Sequence, residues 1–563
     1  MEKTPPSFFN TFRFSWIAGA GLLVVLLLTA YFPVLQNGFI WDDDRHLTDN
    51  SLITDFDGLK RLWLDVRSRQ QYYPMISTSF WMEYQFWGLD PLGYHIDNVL
   101  LHALNAIVLW RVLVFLGVPA AWLVSAVFAL HPVHVESVAW ITERKNVLSG
   151  FFYLLSLYTF LRFYFPGQSV FSSKNPVKNR SGLLYGVSLF FFICALSGKT
   201  VTCTLPAVVL LLFWWMQNHI PLKIIRLMAP YFVIGLGFAT LTIWLEKVSA
   251  GALGPEWDFS FWDRFLIAGR ALWFYIVKLI WPSPLIFTYP MWNIDDSVWW
   301  QYFYPATFLL LILVLCALRK KIGKGPLTAI LFFAGSLFPA LGFFNIYYMR
   351  FSLVSDHFPY LASIGILLIA VAGVARLTGK NLPVFAILLL LGLGHLTWKQ
   401  IPVYKNDFTL WSDTVQKNPN AWMAHYNLGN VFIAEQKTEE AIAQYREAIR
   451  IKPDFPLAPY NLGNALLSQE KTREAIIQYQ TTTRIKPDFV DVYNNWGIAL
   501  LKEGKNKEAI TRFRKALELK PGYADAQNNL KIARRAAGGQ RDTPSGHAWY
   551  STIAFMPGTG KGK

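Results

Sequence analysis

Three consecutive carboxylates, Asp42, Asp43 and Asp44, follow the first apolar stretch of the chain, which runs from about Trp16 to Leu35 without a charged residue. Adjacent like charges resist burial, and an ionisable cluster at the edge of a membrane segment is by default a functional site. The plainer alternative is a solvated acidic loop. Downstream, His95, Asn98 and His102 fall near one helical face by their spacing. Such a face turns toward a cavity, or it forms an interhelical hydrogen-bond network. His131-Pro132-Val133-His134-Val135-Glu136 offers the ligand types of a divalent metal site. Pro132 argues against a regular helix there, and structural hydrogen bonding or contact with an anionic headgroup is the competing reading.

Cations accompany these acids. Arg144 lies in Glu143-Arg144-Lys145-Asn146, Lys199 in Ser197-Gly198-Lys199-Thr200, and Arg350 precedes Asp356 and His357 by a few residues. The Gly-Lys-Thr ending of the Lys199 segment lacks the glycine five residues before Gly198 and sits between apolar spans, which excludes a nucleotide loop. Lys199 at a membrane edge either meets a lipid phosphate or snorkels. Arg350, Asp356 and His357 serve a phosphate, or form an ordinary loop ion pair. Together, acids, cations and aromatic walls suit glycosyl transfer from a polyprenyl-phosphate sugar. A carboxylate takes the proton of an acceptor hydroxyl, and cations stabilise the departing lipid phosphate.

What must hold these residues is a membrane domain. Of 563 residues, 53% are hydrophobic, 16% aromatic and only 16% charged, with mean hydropathy +0.30. That charge fraction is well under the roughly 25% of soluble domains, and several stretches approach the roughly 20 apolar residues that cross a bilayer. The net charge of +16 lies largely in short loops, where it fixes orientation. No basic stripe accompanies a nucleic-acid fold signature, so nucleic acid is not an expected partner. Cys194, Cys203 and Cys316 lie in or beside apolar segments without metal-type spacing. The first apolar run is too long for a cleavable signal and reads as a retained span.

Basic loops at Arg162 to Arg180, Lys223 with Arg226, Arg319 to Lys324, and Arg376 with Lys380 read as cytoplasmic. Residues 1–15 then lie in the cytoplasm. Loops 36–95, 131–146, 246–300 and 345–358 lie outside, with everything after about 399. Segment 263–281 carries Arg270 and Lys278 and reads as an interfacial amphipathic helix, which leaves about eleven crossings within 16–400. Beyond 401, Asn427-Leu428-Gly429, Asn461-Leu462-Gly463 and Asn495-Trp496-Gly497 recur at equal spacing. Ala441, Ala475 and Ala509 keep the same interval, as do Tyr445, Tyr479 and Phe513, and Pro453, Pro487 and Pro521. This is the tetratricopeptide pattern, in which helix pairs stack because none buries its apolar face alone. Repeats are expected at 422–455, 456–489 and 490–523, with capping helices at 404–419 and 523–537. Residues 538–563 read as a disordered tail.

The whole pattern resembles the transmembrane and tetratricopeptide repeat-containing O-mannosyltransferases and their bacterial relatives, within the GT-C glycosyltransferase superfamily. Phe-Ile-Trp-Asp-Asp (39–43) with Asn50, His-Pro-Val-His-x-Glu (131–136), Trp-Ile-x-x-Arg (140–144), Lys199, Asp356-His357-Phe358-Pro359-Tyr360-Leu361 and His425-Tyr426-Asn427-Leu428-Gly429 carry it, across most of residues 30–535. The resemblance implies an all-α fold, a polytopic GT-C-type domain followed by an extracytoplasmic tetratricopeptide solenoid. It also implies that Asp42 and Asp43 are catalytic. His357 and Phe358 stand where the family usually has Arg and Tyr, and Thr200 where an acid is common, which bears on donor identity.

The leading expectation is an inverting glycosyltransferase moving a mannose-like hexose from a polyprenyl phosphate to protein Ser or Thr hydroxyls. Asp42 or Asp43 would be the base. Arg144, Lys199, Arg350 and His357 would contact the donor phosphate. His95, Asn98, His102, His131, His134 and Glu136 would shape the site, with a divalent metal possible, and the repeats would hold the acceptor protein or peptide. The expected setting is a bacterial inner membrane with the repeats in the periplasm or outside, or an endoplasmic reticulum membrane with lumenal repeats. A membrane-anchored scaffold whose repeats recruit envelope proteins is the alternative. A transporter would call for charged spans or broken helices in paired halves, which are not evident.

Overall fold

The computed structural model describes residues 15–68, 71–165, 167 and 182–538. Expectations for residues 1–14, for Lys174, Lys178 and Arg180, and for the tail after 538 lie outside the described residues. The fold is all-α: no strand occurs among the described residues. The chain divides into two compact units, Met1–Leu410 and Trp411–Lys563.

In the first unit the helices are apolar around most of their circumference, as a lipid surrounding requires. Six are long and apolar enough to cross a bilayer: Pro91–Phe115, Ile141–Tyr164, Thr200–Gln217, Leu222–Val248, Trp299–Ile322 and Ser363–Tyr404. A seventh is present if Ala121–Leu130 and Pro132–Ala139, bent by 51°, form one span. The 42-residue stretch Ser363–Tyr404 contains two helices, Ser363–Thr378 and Leu382–Gln400, which meet at Gly379 with φ 51°. Trp16–Ala30, Gly182–Gly198 and Gly325–Ala340 are shorter apolar helices. Length and composition therefore do not reproduce the expected count of about eleven, because several apolar segments are too short to qualify. The 263–281 segment forms a single helix, Phe261–Ile280, opened by a capping box between Ser260 and Asp263.

Burial differs sharply among these helices. Pro91–Phe115 and Ile141–Tyr164 have most of their apolar stretch inside the protein, whereas Trp299–Ile322 has only 17% of its apolar window buried. The first two therefore form the packed interior, and the third presents its side chains outward. Polar residues follow this division: His95, Asn98, His102 and Asn105 are fully buried on the interior helix.

The second unit stacks the helix pairs Trp422–Ala434 with Thr438–Ile451, Leu457–Ser468 with Thr472–Ile485, and Val490–Lys502 with Asn506–Leu519, followed by Ala524–Ala537. The repeated glycines have a steric cause. A Cβ at Gly429, Gly463 or Gly497 would lie 2.6, 2.7 or 2.5 Å from the ring of Tyr445, Tyr479 or Phe513. Thr482 replaces the small alanine of the other repeats and stays buried because its hydroxyl donates to the Gln478 carbonyl at 2.9 Å. The repeated asparagines knit neighbouring repeats. Asn461 donates to Asn430 at 3.0 Å and Asn495 to Asn464 at 2.9 Å.

Candidate active site

The helix Trp16–Ala30 gives way at Pro33 to a short turn, Phe32–Gln36, and the chain enters the acidic loop. Backbone ties to the segment after Leu382–Gln400 hold this loop. Gly38 N–H donates to the Lys405 carbonyl and Trp41 N–H to Asp407 Oδ1, both at 2.8 Å. Trp41 adopts φ 45°, a left-handed conformation that a bulky side chain takes only when its surroundings impose it. Here its indole is clamped: it stacks on Trp140 at 5.3 Å and meets Phe287, Tyr348 and Phe351 edge-on. The consequence lies in the next two residues, whose carboxylates diverge.

Asp43 is fully buried. Its Oδ2 accepts from Ile40 N–H at 3.0 Å, and its Oδ1 accepts from Thr142 N–H at 2.8 Å and from the Thr142 hydroxyl. Burial pushes its pKa up, while the donors of Thr142 and Ile40 pull it back. Three donors from two segments hold this carboxylate, so Asp43 joins the first loop to the 141–143 turn. Asp42 is the opposite case. Its Oδ1 has no hydrogen-bond partner, Oδ2 lies 3.9 Å from His46 Nε2, and the side chain is 26% exposed. Burial raises its pKa to about 6, with Lys145 opposing and Glu143 adding to the rise. Asp44 is exposed and accepts from the Thr48 hydroxyl at 3.1 Å.

Lys145 and Arg45 both act on the Asp42 carboxyl. Lys145 Nζ lies 3.1 Å from Glu143 Oε1, and Lys199 Nζ lies 3.2 Å from Glu143 Oε2. Lys199 also donates to Asn146 Oδ1 at 2.8 Å. Lys145 lies beside the Tyr73 and Trp140 rings. Two ammoniums share the Glu143 carboxylate, and Lys145 also faces the Asp42 carboxyl. Both lysines are thus held in place as donors that a phosphate oxygen could accept from.

Arg144 goes elsewhere. Its guanidinium is fully buried and donates to Asn98 Oδ1 at 2.6 Å, to the Tyr94 carbonyl at 2.8 Å, and to Glu83. It staples the Pro91–Phe115 helix to the start of Arg144–Tyr164. Asn98 completes the staple by donating to the Val138 carbonyl at 3.2 Å. His102 Nε2 lies 3.1 Å from the Ala129 carbonyl and Nδ1 lies 2.8 Å from the Tyr360 hydroxyl. His95 is buried with neither ring nitrogen hydrogen-bonded. This face is therefore mostly an interhelical network.

The His-x-x-His-x-Glu residues do not converge. His131 contacts the Leu279 carbonyl at 3.0 Å and accepts from Val133 N–H. His134 lies between the Phe128 carbonyl and Ser363 Oγ at 2.8 and 3.1 Å. Glu136 meets His357 Nδ1 at 2.7 Å and Ser355 Oγ at 3.1 Å. Pro132 opens a separate 3-10 turn, and the ring nitrogens of His131 and His134 meet different partners. Among the described residues no group of three His, Cys, Asp or Glu side chains could hold a metal ion. Each residue of this motif is held by hydrogen bonds of its own. Burial lowers the His357 pKa to about 3, so its ring meets Glu136 uncharged. Arg350 pairs with Glu256 at 3.5 Å.

Residue types alone did not single out Lys145, Glu143, Asn146, Thr142 or Glu83. A basic residue on either side of a span start is ambiguous by spacing. The usable signal was the adjacency of Glu143, Lys145 and Asn146, three polar types at the entrance of an apolar helix.

Comparison with known proteins bears on both units. A family model described as TPR repeat matches residues 429–470, and one described as Tetratricopeptide repeat matches 490–523. The chain is 25% identical over 454 residues to a protein O-mannosyl-transferase of Caenorhabditis elegans, covering 76% of this chain and 62% of that protein. Its relatives are protein O-mannosyl-transferases. A human one is 25% identical over 492 residues, 77% of this chain and 55% of its own. One from Xenopus laevis is 34% identical over 148 residues, 24% of this chain and 18% of its own. The resemblance read from the motifs thus extends over 77% of the chain, while the chain spans only 55% to 62% of the first two relatives' length. Among solved structures, the first TPR of Spaghetti bound to an HSP90 peptide is 24% identical, covering 21% of this chain and 93% of its own, with a TM-score of 0.21.

Proposed function

We propose that this chain is a protein O-glycosyltransferase of the membrane, transferring a mannose-like sugar from a polyprenyl-phosphate donor to Ser or Thr hydroxyls with inversion. The observation that carries the reading is the contrast within the acidic loop. One carboxylate, Asp43, is held by three donors, and its neighbour Asp42 keeps an oxygen without a partner, with Lys145 acting on it.

In this reading Asp42 is the general base. With a pKa of about 6 it is mostly ionised at neutral pH yet still basic enough to accept a proton. It removes the acceptor hydroxyl's proton as that oxygen attacks the anomeric carbon. The bond from that carbon to the phosphate oxygen breaks, and the electron pair leaves with the lipid phosphate. Lys145 and Lys199, held by Glu143, take the growing phosphate charge. Arg144, Asn98 and Asp43 position this machinery. The indoles of Trp41 and Trp140 provide a flat apolar wall of the kind a sugar ring packs against. The repeats hold the acceptor polypeptide, on the extracytoplasmic side with the loops.

The test is transfer from a polyprenyl-phosphate mannose to acceptor protein by the purified full chain. Asp42→Asn should abolish turnover while the protein remains folded. Full turnover by Asp42→Asn would remove the reading.

A further inference from the structure

A cavity outside this site lies at the start of the span Trp299–Ile322. It encloses about 580 Å³ and is walled by Phe274, Tyr289, Met291, Trp292 and Trp300, with Arg270 on its side. Arg270 differs from the other cations of its helix. Arg264 donates to the Gly342 carbonyl at 2.7 Å and to Asn345 Oδ1 at 2.8 Å, and Lys278 donates to the Pro284 carbonyl. Arg270 has no carboxylate or carbonyl partner among the described residues. Its guanidinium lies over Trp292 at 4.5 Å and Tyr304 at 5.6 Å, which fixes its plane and leaves its N–H edge open. The neighbouring acids are engaged: Asp295 accepts from Ser297 N–H at 2.9 Å and its hydroxyl at 2.6 Å, and Asp296 meets Ser260 at 3.4 Å.

The surroundings say where this cavity opens. Trp299 is 72% and Trp281 71% exposed, and Met291, Trp300 and Phe303 are exposed beside them. An aromatic patch of this kind at the end of an outward-facing span marks the headgroup level of a bilayer. An arginine held there without a counter-ion is stabilised by an anionic headgroup, and its planar fork matches phosphate oxygens.

We propose that the Arg270 cavity is a lipid-phosphate site. Arg270 holds the phosphate, and Phe274, Met291, Trp292 and Trp300 clasp the first carbons of the chain. The shared chemistry fits a bilayer phospholipid or a polyprenyl phosphate. The site is separate from Asp42, and neither assignment depends on the other.

Native mass spectrometry of the full chain in detergent tests this, with farnesyl phosphate, dioctanoyl phosphatidylglycerol and dioctanoyl phosphatidylcholine as probes. The expected result is retention of one or both anionic probes above the zwitterionic one. Arg270→Gln should weaken that retention by about tenfold or more, as loss of a charge-assisted bidentate contact does. Arg270→Lys should restore part of it. Val298→Trp, which fills the cavity while keeping the charge, should also weaken it. Preference for farnesyl phosphate assigns the site to the polyprenyl carrier, and preference for phosphatidylglycerol to the bilayer. Anionic retention unchanged in both Arg270→Gln and Val298→Trp overturns the proposal, whatever the turnover of Asp42→Asn.

Discussion

Replacing Asp42 and Asp43 one at a time by asparagine should affect stability by different routes. At Asp43 the amide puts an NH2 where a carboxylate oxygen accepted. If it faces Ile40, one buried N–H loses its acceptor; if it faces Thr142, an N–H and a hydroxyl do. A buried donor left unsatisfied costs about 1–3 kcal/mol, a loss set against the removal of a charge that burial disfavours. At Asp42 no partner is lost on Oδ1, and a charge disfavoured by burial disappears. The rise from the ordinary Asp range to about 6 corresponds to roughly 3 kcal/mol at neutral pH. With the side chain 26% exposed, solvent screening reduces this to about 1 kcal/mol. The sign follows from linkage. Folded Asp42 holds its proton more tightly than the unfolded chain does, so its ionisation opposes folding as pH rises through the interval up to about 6. The gain from Asp42→Asn is therefore full at pH 7 and fades toward pH 4. Thermal unfolding midpoints of the full chain in one detergent, at pH 7 and pH 5, measure both effects. A lower midpoint for Asp42→Asn together with an unchanged one for Asp43→Asn would refute the division of roles.

Other outcomes follow from the same geometry. Lys145→Met and Lys199→Met should each lower kcat/KM for a lipid-phosphate donor by about tenfold to a hundredfold, with arginine at either position recovering part, as steady-state transfer kinetics will read. The rate of the native chain should fall below neutrality with an apparent midpoint near 6, because protonated Asp42 cannot accept the hydroxyl proton; Asp43→Asn should keep that midpoint. Arg144→Gln should act on the fold, losing about 3 kcal/mol or more by stranding Glu83 and Asn98, with donor KM in the surviving protein little changed. Gly463→Ala should lower the thermal midpoint by about 1–3 kcal/mol equivalent, since its Cβ would lie 2.7 Å from the Tyr479 ring.

The repeats were the most legible part of this chain. Their pattern is local, glycine against aromatic within one helix pair, so period alone exposes the packing. The membrane character was legible for the same reason, because a lipid surrounding imposes composition on every outward helix. Crossing counts were less so, since short helices such as Gly182–Gly198 fall below the length that composition alone can certify. Arg144 and Lys145 show where sequence reading stops. Adjacent cations at one helix start look alike as text, yet the helix turn sends one into Asn98 and Glu83 and the other to Glu143 beside Asp42.

The acidic triplet draws the same line. The sequence alone determined that three carboxylates stand together at a membrane edge and that the exposed one, Asp44, is set off from its neighbours by the family pattern. It could not rank Asp42 and Asp43, which have the same chemistry and adjacent positions. The tertiary structure ranks them, because Trp41 is forced to φ 45° by four rings from three distant segments. That twist aims Asp43 at Thr142 and leaves Asp42 open. Residue type is a property of the chain, but which lone pairs stay free depends on contacts between residues about a hundred positions or more apart.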